Sequence, residues 1–283
     1  MRQIFPHVRP PLGPADPLPG PITAETPGAA EFIAALAACY AYPEDGADSA
    51  DGADGADGRP WVRANMITSL DGAIAVAGRS GGLSGNADRL MFTVLRGLAD
   101  VILVGAGTVR AERYRPAKPT WPQLRKDRPP TPAIAVITRA LGLDLESELL
   151  QGGPTLPRTI VLTTKQAPPD RLTAAARTAD VIIAGEEQVS GQTAIEKLAE
   201  RGFRKVLVEG GPTLLGGLAS ARLLDELCVT ISPLIVGDHE PRMIVSRSPI
   251  TTELKLVTLL EDDGFLLSRY LRNRHAPALA QPV

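Results

Sequence analysis

The run Lys205-Val206-Leu207-Val208-Glu209-Gly210-Gly211-Pro212-Thr213-Leu214-Leu215-Gly216-Gly217 decides how this chain is read. It opens as a short apolar stretch and continues, past the glycines, with helical character. Paired glycines at a strand-to-helix turn let backbone N–H groups approach a ligand phosphate with no Cβ in the way. Glu209 stands just before them, where a strand delivers it to the C-terminal edge of a sheet. Open α/β sheets bind ligands at that edge. The run reads as a nucleotide site with an acidic residue beside it. Its plain alternative is an ordinary Gly-Gly-Pro loop.

The surrounding sequence repeats the same strand-then-helix order. Apolar runs predict strands over 61–67, 101–104, 133–137, 159–162, 181–184, 205–208 and 226–231. Helical patterns fit 87–97, 193–201 and 212–219. Such alternation predicts a mainly parallel sheet covered on both faces. Residues 254–260 and 265–271 flank Glu261-Asp262-Asp263-Gly264, and Asp-Gly between two strand-like runs reads as a hairpin turn. The sheet is therefore expected to be mixed, with a C-terminal antiparallel hairpin.

The ends of the chain read differently. Residues 1–58 are expected to hold a Pro-rich irregular arm (1–27), one Ala-rich helix over 28–42 and an Asp-Gly-Ala linker. Residues 59–273 are expected to form the folded domain, and 274–283 a flexible tail. The Pro-rich piece 115–132 is expected to be a surface loop.

Composition sets limits on function. The chain has 283 residues, 44% of them hydrophobic and 22% charged, with net charge −2. Without a basic excess, nucleic acid is not the expected partner. Cys39 and Cys228 make no disulfide framework, and Cys228 sits in an apolar run that predicts burial. His7, His239 and His275 match no zinc spacing, and the Asp-Gly repeat lacks the calcium nonapeptide, so no metal is expected. No apolar run approaches the ~20 residues of a membrane span, and the N-terminus lacks the order of a signal peptide. The expectation is a cytoplasmic protein with no membrane partner.

Three further segments carry chemistry. Ser69-Leu70-Asp71-Gly72 comes after the first strand and reads as a plain turn or as a site. Ser80-Gly81-Gly82-Leu83-Ser84-Gly85-Asn86 suits close backbone approach to a ligand, with Ser84 or Asn86 also able to cap the next helix. Val104-Gly105-Ala106-Gly107-Thr108-Val109-Arg110 offers a Gly-x-Gly turn that opens a short helix, a place for a pyrophosphate. It is not the full Gly-x-Gly-x-x-Gly fingerprint, which disfavours a standard Rossmann domain.

In order along about residues 60–271, six segments resemble one family. They are Ser69-Leu70-Asp71-Gly72, Arg96 at a helix end, Gly105-Ala106-Gly107-Thr108-Val109, Glu209-Gly210-Gly211-Pro212-Thr213-Leu214, Leu224-Asp225-Glu226-Leu227 and Ile231-Ser232-Pro233-Leu234-Ile235-Val236-Gly237. The family is the pyrimidine reductase of riboflavin biosynthesis, within the dihydrofolate-reductase-like superfamily. The resemblance implies a dihydrofolate-reductase-like mixed sheet flanked by helices on both faces. It implies NADPH as hydride donor and reduction of the ribosyl C1′ of 5-amino-6-(5-phosphoribosylamino)uracil. It also implies a homodimer. Many members carry a zinc deaminase domain as well; its signature is not in this sequence, so a stand-alone reductase is expected.

Residue roles carry over by position. The resemblance implies cofactor contacts at Ile67, Gly82, Gly105, Gly107, Thr108 and Glu112, and along Gly210, Gly211, Pro212, Thr213, Leu214, Leu215, Gly216 and Gly217. It implies substrate contacts at Ser80, Arg96 and Glu209, with Arg96 suited to a phosphate. Asp71 and Glu209 are the carboxylates nominated for catalysis, Asp71 as a structural or orienting residue and Glu209 as a substrate binder. For the 2′-phosphate of the cofactor, Arg139 and Lys165 are candidates, with solvated surface charges as the alternative reading of both. Residues 113–118, Arg-Tyr-Arg-Pro-Ala-Lys, depart most from the family pattern. That departure leaves a pterin such as dihydrofolate as the alternative substrate, and a non-catalytic nucleotide-binding protein as the reading from another class.

Overall fold

The computed structural model describes residues 1–5, 26, 28–43, 58–119, 121–237 and 242–273. In chain order the elements are β1 (Arg2–Phe5), α1 (Ala29–Cys39), β2 (Trp61–Thr68), α2 (Asn86–Leu98), β3 (Val101–Gly105) and α3 (Ala106–Glu112). Then come β4 (Ala133–Ile137), α4 (Glu148–Gln151), β5 (Ile160–Thr163), α5 (Pro169–Thr178), β6 (Asp180–Ile183) and α6 (Gly191–Ala199). The chain closes with β7 (Lys205–Val208), α7 (Pro212–Ser220), β8 (Glu226–Ile231), β9 (Leu254–Asp262) and β10 (Phe265–Arg272).

All these strands join one sheet in the order β1-β9-β10-β8-β2-β7-β3-β4-β5-β6. The pairs from β8 through β6 are parallel, and β10 meets both β8 and β9 antiparallel. The mixed sheet and its C-terminal hairpin are thus as the sequence predicts. Asp263 and Gly264 at the hairpin tip have φ of 49° and 80°. Two positive φ values in a two-residue turn match the twist of the flanking strands.

Parallel strands covered by helices on both faces must be apolar on both. β3 shows this directly. Ile102 and Val104 face one core with α1 and α2, while Val101 and Leu103 face a second core with α6 and α7. β4, β5 and β7 divide their side chains the same way.

The N-terminal part departs from expectation. Residues 2–5, expected in an irregular arm, add a strand antiparallel to β9. α1 forms as predicted but belongs to the folded unit, since Ile33, Leu36 and Tyr40 are fully buried in the first core. Arg63 and Arg269 explain why it docks. Arg63 is wholly buried, pairs with Glu226 across β2 and β8, and donates to the Tyr40 carbonyl at 2.7 Å. Arg269 donates to the Cys39 and Ala41 carbonyls, and so occupies part of the C-terminal end of α1. The folded unit is not confined to 59–273.

The Pro-rich 115–132 piece is a loop, but it also packs. Buried Arg125 and neighbouring Arg128 donate to the Gly97, Leu98 and Ala99 carbonyls and satisfy the end of α2. Cys228 is buried as expected, and Cys39 is partly buried. The linker over 44–57, the tail, most of the arm and all three histidines lie outside the described residues. Among the described residues no helix is long and apolar enough to cross a membrane.

Candidate active site

β2, β7 and β3 are neighbours in the sheet, and their C-terminal ends open onto a cavity of about 840 Å3. Asn65, Met66 and Ile67 of β2 form part of its wall. The turn from β3 into α3 supplies Gly105, Gly107 and Thr108, and the turn from β7 into α7 supplies Glu209 through Leu214. α2 contributes Asp88, Phe92 and Arg96, spaced four apart and so on one helix face. Glu112 to Pro116, Lys118 and Pro119 close another side.

The two glycine turns hold each other. The Gly105 N–H donates to the Gly210 carbonyl at 3.0 Å, and the Glu209 N–H to the Leu103 carbonyl at 3.0 Å. The Gly210–Gly211 peptide is cis. Gly210 has φ of 97°, a region that glycine alone enters readily. A Cβ on Gly211 would sit 2.8 Å from Thr108 Oγ1, so a larger residue there would have to displace the Thr108 side chain. By contrast, a Cβ on Gly107 would meet nothing within 4 Å, leaving open backbone beside the cavity.

Glu209 is buried, and both its oxygens are engaged. Arg96 grips them through Nε at 2.7 Å and Nη2 at 2.6 Å, and the Tyr114 hydroxyl donates to Oε2 at 2.8 Å. The Arg96 guanidinium also lies 4.1 Å from the centre of the Phe92 ring. Burial opposes the charge on Arg96, but the Glu209 carboxylate more than offsets this and raises its pKa. Burial, then the Glu209 charge, pushes the Tyr114 phenol well above its usual range, so it remains a hydrogen-bond donor.

The structure brings together most of the residues nominated from sequence. Ile67, Ser80, Arg96, Gly105, Gly107, Thr108, Glu112, Glu209, Gly210, Gly211, Pro212, Thr213 and Leu214 all line the cavity. Besides Glu209, two of them are already committed within the protein. Glu112 accepts the Ser80 N–H at 2.8 Å, which ties the loop before α2 to α3. Arg96 is bound to Glu209 and does not present its fork to a phosphate.

Other nominated residues stand elsewhere. Asp71 does not line the cavity. It is exposed and brackets two loops, accepting the Ser69 hydroxyl and the N–H groups of Val236 and Gly237. That geometry suits the structural or orienting role and places its carboxylate outside the cavity. Gly82 is turned toward Val76, whose Cβ would lie 2.8 Å from a Cβ there. Leu215 is fully buried in the second core, Gly216 packs on the Val245 carbonyl, and Gly217 faces open space. These three build α7 rather than the cavity. Arg139 is exposed, Lys165 pairs with Glu186, and neither lines the cavity.

Sequence reasoning passes over Asp88, Phe92 and Tyr114. Ser84, a candidate cap for α2 by sequence, is not its N-cap residue; Gly85 is. The Ser84 hydroxyl donates instead to Asp88 Oδ2 at 2.6 Å.

A large mixed sheet, an antiparallel C-terminal hairpin and a cleft at the ends of the central parallel strands define the class of pyrimidine reductase-like α/β proteins. A pyrimidine reductase-like protein from Corynebacterium diphtheriae is similar, with a TM-score of 0.69 and 29% identity, over 75% of this chain and 92% of that one. The model of the RibD C-terminal domain family matches residues 60–266, and the chain belongs to that family. Two archaeal proteins named 2,5-diamino-6-ribosylamino-4(3H)-pyrimidinone 5′-phosphate reductase are similar in sequence. The one from Archaeoglobus fulgidus is 31% identical over 64% of this chain and 84% of its own length. The one from Methanothermobacter thermautotrophicus is 31% identical over 68% of this chain and 86% of its own.

Proposed function

We propose that this chain is an NADPH-dependent reductase that converts the ribosyl group of 5-amino-6-(5-phosphoribosylamino)uracil into a ribityl chain. The observation that carries the reading is a single cavity with glycine-rich turns on one side and the Arg96–Glu209–Tyr114 cluster on another. Its volume falls within the ~300–1,000 Å3 of ligand pockets.

The residues present fit a dinucleotide. α7 begins at the cavity, and the N–H groups of Thr213 and Leu214 belong to its first turn, where helices lack internal acceptors. Gly107 leaves room for a pyrophosphate against the backbone. NADPH, when bound, supplies the hydride. The protein's task is positioning: both reactants must lie face to face in a closed space. Asn65 and Glu209 offer polar groups for a pyrimidine edge, while Arg113, Arg115 and Lys118 line the cavity as cations for the 5′-phosphate.

A second reading is favoured by the two archaeal relatives, named for a pyrimidinone with an amino group in place of one uracil oxygen. The exchange reverses donor and acceptor on that ring edge, so a site reads it by hydrogen bonding. NADPH absorbance should be measured over time with both pyrimidines and with dihydrofolate in parallel. Oxidation with the uracil compound supports the first reading, and oxidation with the pyrimidinone alone supports the second. Oxidation with dihydrofolate alone would overturn both. We further propose a homodimer built by the C-terminal strands, which sedimentation velocity would test.

A further inference from the structure

We propose that Asp88 is the proton donor of the reaction, protonating the ribose ring oxygen of the substrate as the sugar opens. The inference rests on the reductase reading and adds a residue that the family resemblance does not nominate.

Asp88 lines the cavity one turn of α2 before Phe92 and two turns before Arg96. It is 8% exposed, and among the described residues no cation forms an ion pair with it. Its neighbours are hydroxyls. Ser84 donates to Oδ2 at 2.6 Å from the preceding loop, and Thr230 of β8 stands close enough to favour its charged form. Thr230 is the register partner of Ile67, which also lines the cavity, so Asp88 is fixed against the sheet at the level of the site.

The other cavity carboxylates are engaged. Glu209 is held by Arg96 and Tyr114, and Glu112 by the Ser80 amide. Tyr114 spends its proton on Glu209. Of the three cavity carboxylates, Asp88 is the one held by a hydroxyl rather than by a cation or a backbone amide. Burial raises its pKa against the smaller opposing effects of Ser84, Thr230 and exposed Arg89. A carboxyl with these surroundings holds a proton nearer neutrality, as a general acid requires.

The step balances. The Asp88 carboxyl gives its proton to the ring oxygen as the C1′–oxygen bond breaks. The lone pair of the exocyclic nitrogen forms the C1′–nitrogen double bond. NADPH, when bound, would supply the hydride to C1′, and the nitrogen would then recover its lone pair. One proton and one hydride are consumed, and the Asp88 carboxylate is reprotonated from water.

Three variants test this with the full chain. Asp88→Asn keeps the shape and removes the proton. It should bind NADPH with unchanged affinity by fluorescence titration, while kcat falls by about 10²–10⁴-fold, the usual worth of a positioned acid. Asp88→Glu should recover part of the rate. Wild-type kcat should decline on an alkaline limb that Asp88→Asn lacks. Ser84→Ala removes a hydrogen bond that favours the carboxylate, so its limb should move to higher pH; a merely structural serine would leave the limb in place. A wild type that turns over the pyrimidine while Asp88→Asn matches its rate and pH profile would overturn the proposal. A wild type that binds NADPH yet reduces neither pyrimidine would overturn the reductase reading instead.

Discussion

Glu209 shows how one buried carboxylate can organise a site. Its partners come from α2 and from the segment after α3, so three distant parts of the chain meet on two oxygen atoms. Removing one partner of a buried ion pair leaves the other charge uncompensated, at a cost of roughly 3–5 kcal/mol. Arg96→Met should therefore lower unfolding free energy by about that amount in urea. Tyr114→Phe removes only a hydrogen bond to a charged group, roughly 1.5–3 kcal/mol. A smaller loss for Arg96→Met than for Tyr114→Phe would mean that water compensates Glu209. Asp71 makes the opposite case. Its carboxyl is held at about 2, below the ordinary 3.8, first by the Ser69 hydroxyl and then by the Gly237 and Val236 amides. A depressed pKa contributes stability above the ordinary carboxyl range and loses it as pH falls through about 2. Asp71→Asn should leave NADPH oxidation at neutral pH unchanged and flatten the acid side of a pH–stability curve. A large drop in kcat would return Asp71 to the catalytic machinery.

α7 places two adjacent glycines in opposite roles. A Cβ on Gly216 would lie 1.9 Å from the Val245 carbonyl oxygen, which is backbone and cannot swing away. A Cβ on Gly217 would meet nothing within 4 Å. Overpacking costs typically 1–3 kcal/mol, whereas glycine within a helix costs roughly 0.5–1 kcal/mol relative to alanine. Gly216→Ala should thus destabilise the protein and Gly217→Ala should stabilise it, read as opposite shifts in melting temperature. Equal shifts would mean that the segment around Val245 yields to the new methyl group. The same helix marks the reach of sequence reading. The strands flanking it are legible because a strand buried on both faces is a near-continuous apolar run. α5 is not, since it buries only Ala175 and leaves little periodic signal. β1 is hidden because four residues of a Pro-rich arm carry no pattern, and their pairing with β9 is set by the sheet.

The site as a whole is legible wherever function rests on backbone and illegible wherever it rests on pairing. Gly210 and Gly211 announce themselves, because the first takes a positive φ and the second leaves a Cβ only 2.8 Å from Thr108 Oγ1. Tyr114 and Asp88 do not, because the meaning of Tyr114 comes from Glu209, 95 residues away, and that of Asp88 from the cavity that the folded sheet sets before α2. The pairing of Arg96 is hidden for the same reason: a lone arginine facing a cleft suits a phosphate, and only the fold shows that it is bound to Glu209. On the proposed function, the parts that hold the sheet are separate from the parts offered to a dinucleotide, and this separation can be tested. Gly107 has open space where a side chain would project and no positive φ, so a larger residue there fills the cavity without straining the turn. Gly107→Val should melt like the wild type in the absence of ligand. The wild type with NADPH at a hundredfold excess over its Kd should gain ~2.7 kcal/mol of stability by mass action. Gly107→Val should gain far less at the same concentration. Equal gains would mean that the dinucleotide avoids α3 and lies along α7 alone. A destabilised apo variant would mean that Gly107 serves the sheet, and that fold and site are not separate here.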